Sequence, residues 1–139
     1  MSTFSIKSHR PGVAYNMPHF FILNKGNNSG KPLFAACPNC FVIRFQCEEE
    51  REQIYWLLYS LWQSKAFYPF LRGSVIPFVV LRDVKSCILD GLNKVGQNPA
   101  QFEKAVAALR SLEAMEKNYK QNLVLIANAK RMLFYKYIS

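Results

Sequence analysis

Acidic residues are absent from the first third of the chain. No aspartate or glutamate occurs from Met1 to Cys47, and none follows Glu116. Over all 139 residues, 18 lysines and arginines stand against 9 aspartates and glutamates, which gives a net charge of +9. A charge of this sign and size favours a polyanionic partner. We therefore expect a basic face that contacts a phosphate backbone; a generically basic protein without such a partner is the alternative.

Long apolar runs are also absent. No stretch reaches the roughly 18 apolar residues that a bilayer span needs, so we expect no membrane contact. The first seven residues have neither an apolar core nor a cleavage site, so we expect no secretory signal. The expected compartment is therefore the reducing cytoplasm, where the four cysteines remain thiols.

Side chains that support catalysis are few. Only two histidines occur, both within the first 19 residues, and no serine has the flanking glycines of a nucleophile elbow. The run from Gly26 to Lys31 superficially resembles a phosphate-binding loop, but Pro32 follows it and cannot donate an N–H to a phosphate. We therefore expect a non-catalytic protein without a cofactor.

A C-x-x-C pair, Cys37 and Cys40, raises the question of metal. Two thiolates at this spacing can share a zinc ion, but no second pair exists, and Cys47, His19 or His9 would have to complete the site. A redox pair normally begins a helix, whereas a strand-like run follows here. We interpret the pair as a turn with two structural cysteines and no metal.

Hydrophobic periodicity predicts a fold of the α/β (α+β) class, with a domain over residues 1–96 and a long helix over 97–139. A helix is expected from about residue 49 to 65, and a second helical turn from Phe67 to Leu71. A further helix is expected from an N-cap at Asp83 to Val95, with Gly96 as its stop. The predicted strands are Phe20–Leu23, Leu33–Ala36, Phe41–Phe45 and Val75–Leu81.

The last predicted helix begins with a box-like cap, with Asn98 as N-cap, Pro99 at the first position and Gln101 at the third. No glycine or proline follows, and a heptad seam runs to the end with Glu116 and Lys130 as its only charged members. Such a helix would extend about 60 Å. We expect it to pair with a second copy, although folding back on its own domain is the alternative. The predicted homodimer contacts are Leu109, Leu112, Tyr119, Leu123, Ile126 and Leu133.

The order of these segments resembles one half of the specificity subunit of type I restriction-modification systems. The similar pieces are Asn-Cys-Phe-Val-Ile-Arg at Asn39–Arg44, Arg-Gly-Ser-Val-Ile-Pro-Phe at Arg72–Phe78, and the helix segment Leu123–Phe134. The resemblance implies a target-recognition domain with a small mixed sheet that reads bases, followed by a long helix on which a methyltransferase subunit docks. The chain is also similar to short uncharacterised proteins of bacterial mobile elements.

We therefore predict a DNA-binding recognition module with duplex DNA as its partner. Lysines suit phosphates, and asparagines can pair with adenine edges. The predicted DNA-binding residues are Arg10, Asn24, Lys25, Asn27, Asn28, Lys31, Arg44, Arg72 and Ser74. Two alternatives remain open: a protein-interaction module that modulates a restriction-modification complex, and a small zinc- or RNA-binding protein.

Overall fold

The computed structural model describes residues 4–138, so the outermost residues of the two predicted domains, 1–3 and 139, lie outside the described residues. The chain forms two compact units, one ending at Gln97 and the other beginning at Asn98. The predicted combination of helices with a small sheet is confirmed. The strands are β1 (Ser5–Ser8), β2 (His19–Leu23), β3 (Pro32–Leu33) and β4 (Cys40–Arg44). The α-helices are α1 (Glu48–Gln63), α2 (Leu81–Gln97) and α3 (Pro99–Ile138), with a 3-10 turn at Tyr68–Phe70.

The four strands form one sheet in the order β1-β4-β2-β3. Every pairing within residues 4–138 is antiparallel, so the sheet itself is not mixed. Phe21 lies opposite Val42, and both are buried on one face, while Phe20 and Ile43 are buried on the other face. Because both faces are covered, β2 and β4 are continuous apolar runs rather than alternating ones.

The main core lies between the sheet and the helices α1 and α2. Phe20 and Ile43 from the sheet meet Leu58 of α1, Ile88 of α2 and Phe67 from the connection between the helices. Each of these side chains is almost fully buried, and burial of a large apolar side chain contributes roughly 1.5–3 kcal/mol. This core fixes the ends of β2 and α2, from which the candidate site is built.

Helix α1 begins one residue earlier than predicted and ends two residues earlier. Three glutamates occupy its first turn, where carboxylates interact favourably with the positive end of the helix dipole. The chain leaves the helix through Lys65, which has a positive φ of 62°. This left-handed residue redirects the backbone, so that Phe67 enters the core.

Two predicted strands and one predicted helix cap in this unit are wrong in detail. The predicted strand Val75–Leu81 is instead a loop that runs directly into α2, because Pro77 cannot donate to a ladder and Leu81 already starts the helix. Asp83 therefore lies in the first turn of α2 and is not its N-cap. Of the predicted strand Leu33–Ala36, only Leu33 lies in a strand, because β3 begins one residue earlier at Pro32 and residues 34–36 are exposed.

The second unit is the single helix α3, 40 residues long. Its predicted cap is confirmed: the backbone N–H of Gln101 donates to Asn98 Oδ1 at 3.2 Å, and Asn98 Nδ2 donates to Gln101 Oε1 at 3.0 Å. Helix α2 does not stop at Gly96 but continues to Gln97, so only one residue, Asn98, separates the two helices. No helix among the described residues combines the length and apolarity that crossing a membrane requires.

Candidate nucleic-acid interface

The polar turn that follows β2 is held by hydrogen bonds of its own backbone. The N–H of Gly30 donates to the carbonyl of Leu23 at 2.7 Å, and the N–H of Leu23 donates to the carbonyl of Lys31 at 3.0 Å. Ser29 is buried, and its hydroxyl donates to the carbonyl of Gly26 at 2.6 Å. Gly30 has a φ of +98°, and a Cβ there would collide with the ring of Phe67. The turn is therefore held rigidly against the core.

Asn27 and Asn28 form the tip of this turn. Both are exposed, whereas Asn24 at its start is half-buried and accepts a backbone hydrogen bond from Val79 at 3.0 Å. The structure thus leaves two of the three predicted asparagines accessible to a ligand.

Phe78 connects this turn to the Arg72 segment. Its backbone is bridged on one side to Lys25 and on the other side to Arg72, in antiparallel fashion. The N–H of Arg72 donates to the carbonyl of Phe78 at 2.9 Å, and the reverse bond has the same length. Residues directly opposite each other in antiparallel pairs share a face. Lys25, Phe78 and Arg72 therefore lie side by side, and we call this set the Phe78 face.

The two cations of the Phe78 face are accessible. Lys25 is exposed. The side chain of Arg72 is 50% exposed and makes an ion pair with Asp83, with 3.3 Å between Arg72 Nη2 and Asp83 Oδ2. Ser74, another predicted contact, is exposed in the loop that follows Arg72.

Three other predicted DNA-binding residues lie elsewhere. Lys31 is directed to α1, where its Nζ lies 5.0 Å from the centroid of the Trp62 ring. Arg44 is at the far end of β2 and β4, opposite His19, and its Nε donates to Ser5 Oγ at 3.2 Å. Arg10 is exposed in the connection between β1 and β2. The distance along β2 from His19 to Lys25 is about 20 Å at the usual rise per residue, so Arg44 does not belong to the Phe78 face.

Sequence reasoning missed the apolar part of this region. Val75 is 89% exposed, Ile76 is 55% exposed and Phe78 is 39% exposed. The sequence did contain a signal for this loop. Gly73 and Pro77 stand on either side of the β-branched residues Val75 and Ile76, a pattern typical of a tight loop rather than of a strand.

Both histidines lie in an aromatic cluster on the face of the sheet away from the helices. His9 Nδ1 and the hydroxyl of Tyr15 are hydrogen-bonded at 2.9 Å, and the His9 and Phe21 rings are 5.0 Å apart. His19 Nδ1 donates to the carbonyl of Met17 at 2.8 Å. These contacts cover Phe21.

The C-x-x-C pair forms a turn before β4. Cys40 is buried, and its thiol donates to the carbonyl of Cys37 at 3.1 Å. Burial raises the pKa of the Cys40 thiol, which disfavours the thiolate that a metal or a redox reaction requires. Within residues 4–138, no three histidine, cysteine or acidic side chains converge as metal ligands would.

The predicted dimer contacts lie along α3. Leu112, Tyr119, Leu123, Ile126 and Leu133 are exposed in the single chain, and Leu109 is half-buried. Glu116 and Lys120 form an ion pair at 3.4 Å on the same helix. These apolar side chains can leave solvent only if another surface covers them.

Comparison with known proteins relates both units to one family. Residues 6–136 match the model of DUF6943, a family of unknown function. No curated protein and no solved structure matches the sequence. Since the match spans nearly the whole chain, including the Phe78 face, the chain belongs to DUF6943.

Proposed function

We propose that this protein binds duplex DNA through the Phe78 face as a non-catalytic recognition module. One observation carries the proposal: Phe78 pairs with Lys25 on one side and Arg72 on the other, so two basic segments that are distant in sequence share one exposed face. Cations held at fixed separation on a rigid backbone suit the phosphates of a duplex.

The charges of the face support contact with phosphates. Lys25 is exposed, and half of the Arg72 side chain is exposed although its ion-pair partner Asp83 is mostly buried. The planar guanidinium carries five N–H donors, so Arg72 can keep Asp83 on one edge and donate to a phosphate from another. Asn27 and Asn28 project from the neighbouring turn, where their amides would meet base edges. The resemblance to half of a specificity subunit agrees with this assignment.

The test is fluorescence anisotropy with labelled duplexes at several salt concentrations. We expect the double variant Lys25→Gln/Arg72→Gln to bind more weakly, with a log–log salt slope that is shallower by about 0.9 for each lost phosphate contact. The matched control Lys7→Gln/Lys94→Gln removes the same charge at exposed positions outside the face and should bind like the wild type. No binding of duplex DNA by the wild type at low salt would refute the proposal.

A second function, protein interaction through α3, is favoured by the exposed apolar side chains of that helix. We propose that α3 pairs with α3 of a second copy, so that two Phe78 faces act together on DNA. A methyltransferase subunit that docks on the same helix, with the protein acting as a modulator of a restriction-modification complex, is the alternative occupant.

A further inference from the structure

The loop between Arg72 and Phe78 is short and rigid. Two reciprocal backbone hydrogen bonds between these residues, each 2.9 Å long, close it at its base. Gly73 has a φ of +95°, and a Cβ at this position would lie 2.8 Å from the carbonyl oxygen of Ile76. Pro77 restricts the returning arm. The loop therefore presents its tip in one fixed conformation.

The tip of this loop consists of two apolar side chains. Val75 is 89% and Ile76 55% exposed. Single exposed apolar residues are ordinary, but here two adjacent β-branched side chains, stiff at χ1, stand at the end of a rigid loop. No acidic residue occurs between Arg72 and Phe78, and Lys25 lies beside the loop base. The arrangement is an apolar tip on a loop whose base contains Arg72, paired with Asp83, and lies beside Lys25.

We propose that Val75 and Ile76 form a wedge that enters the minor groove of duplex DNA and partly unstacks one base step. Lys25 and Arg72 would then hold phosphates on the two sides of the opened step. This inference rests on the proposed function, since it uses the same face for the same ligand. DNA-bending proteins insert apolar side chains in this way and are held by flanking basic residues.

The size of the tip favours DNA over a protein partner. A stable protein interface buries more than about 1,000 Å², which two side chains do not supply. A base step, by contrast, is opened by one or two side chains. Because pyrimidine–purine steps unstack most easily, the wedge also implies a preference for duplexes that contain such a step.

Insertion of the wedge and contact with phosphates predict different results for a variant of the loop tip. The double variant Val75→Ser/Ile76→Ser keeps every cation, so its affinity should fall by roughly tenfold while its salt slope stays that of the wild type. Bending, measured by energy transfer between the two labelled ends of a duplex of about 20 base pairs with a central TA step, should be lost. The matched control Val13→Ser removes an exposed valine from a different loop and should change neither readout.

The possible failures are distinguishable. If the wild type binds duplex DNA and the Val75/Ile76 variant binds and bends it equally well, the wedge is wrong and the proposed function stands. If the wild type binds no duplex, both fail. Binding of phosphatidylserine vesicles that depends on Val75 and Ile76, without binding of DNA, would identify the loop as a membrane contact and overturn the wedge.

Discussion

The four cysteines differ in how far their thiols reach solvent. Cys47 is exposed, Cys37 is half-buried, and Cys40 and Cys87 are buried. Burial raises the pKa of the Cys40 and Cys87 thiols, and the carboxylates of Asp90 and Asp83 add to the effect at Cys87. The chain thus holds one exposed thiol and two buried thiols whose raised pKa disfavours the thiolate.

We expect iodoacetamide to modify Cys47 first and Cys40 and Cys87 last, because the thiolate is the reactive form. Peptide mass spectrometry after short exposure measures the order. Equal labelling of Cys87 and Cys47 in the folded protein would contradict the burial.

The pKa shifts also have a consequence for stability. Thiols whose pKa is raised by folding stabilise the native state below the unfolded thiol's pKa of about 8.5, and this contribution is lost as the pH rises through the folded values.

Within helix α3, the two charged residues of the heptad seam favour one of two dimer orientations, parallel or antiparallel. Glu116 and Lys130 occupy equivalent positions two heptads apart. A parallel dimer in register would place Glu116 against Glu116 and Lys130 against Lys130. In an antiparallel dimer with Leu123 opposite Ile126, Glu116 of one copy lies within one layer of Lys130 of the other. Opposite charges therefore favour the antiparallel arrangement.

We expect Glu116→Lys and Lys130→Glu each to weaken the α3 dimer by roughly tenfold, since each places like charges in neighbouring layers. The double exchange should restore it. Leu123→Asp should dissociate the dimer, because a buried leucine contributes about 1.5–3 kcal/mol. Analytical ultracentrifugation measures the association, and Lys117→Glu, on the outside of the helix, is the matched control. A wild type that sediments as a monomer at high concentration would refute the pairing.

Elements with local signals were predictable from the sequence. The glutamates and apolar spacing of α1 and the Asn98 cap of α3 involve only neighbours along the chain, and both were confirmed. The segment Val75–Leu81 was mistaken for a strand, because an apolar run does not reveal that its first residues will point to solvent. Local sequence predicts that a helix exists better than it predicts the residue at which the helix starts. Asp83, predicted as the N-cap of α2, lies instead within its first turn.

The candidate site was predictable only in part for the same reason. Lys25 and Arg72 could be named from residue type, but they share a face only because Lys25 pairs with Phe78, which is more than fifty residues away in the chain. Likewise, nothing near Lys31 in sequence shows that it will meet Trp62, more than thirty residues later in the chain. Residue type predicts chemistry, whereas packing decides which residues act together.

For the whole molecule, a dimer through α3 would carry two Phe78 faces. Linked faces bind a long duplex more tightly than a short one, because the second contact is intramolecular once the first has formed. Pairing through α3 would supply this gain in affinity without changing either face, since the face is built entirely from residues before Gln97.

The division of the chain at Asn98 gives the two units different optical signals. Both tryptophans of the protein, Trp56 and Trp62, lie in α1, whereas α3 contains more than half of the α-helical residues. Tryptophan fluorescence therefore monitors the sheet-containing unit, and far-ultraviolet circular dichroism is dominated by α3.

We expect urea titrations followed by these two signals not to coincide, which is the usual mark of more than two states. The dichroism midpoint should rise with protein concentration if α3 is stabilised by pairing, while the fluorescence midpoint should not. In Leu123→Asp the dichroism should lose this concentration dependence and the fluorescence curve should stay in place. Superimposable curves at every concentration would mean that the two units unfold together. A spectrometer thus reads the state of each unit without any label, because the sequence places every indole on one side of Asn98.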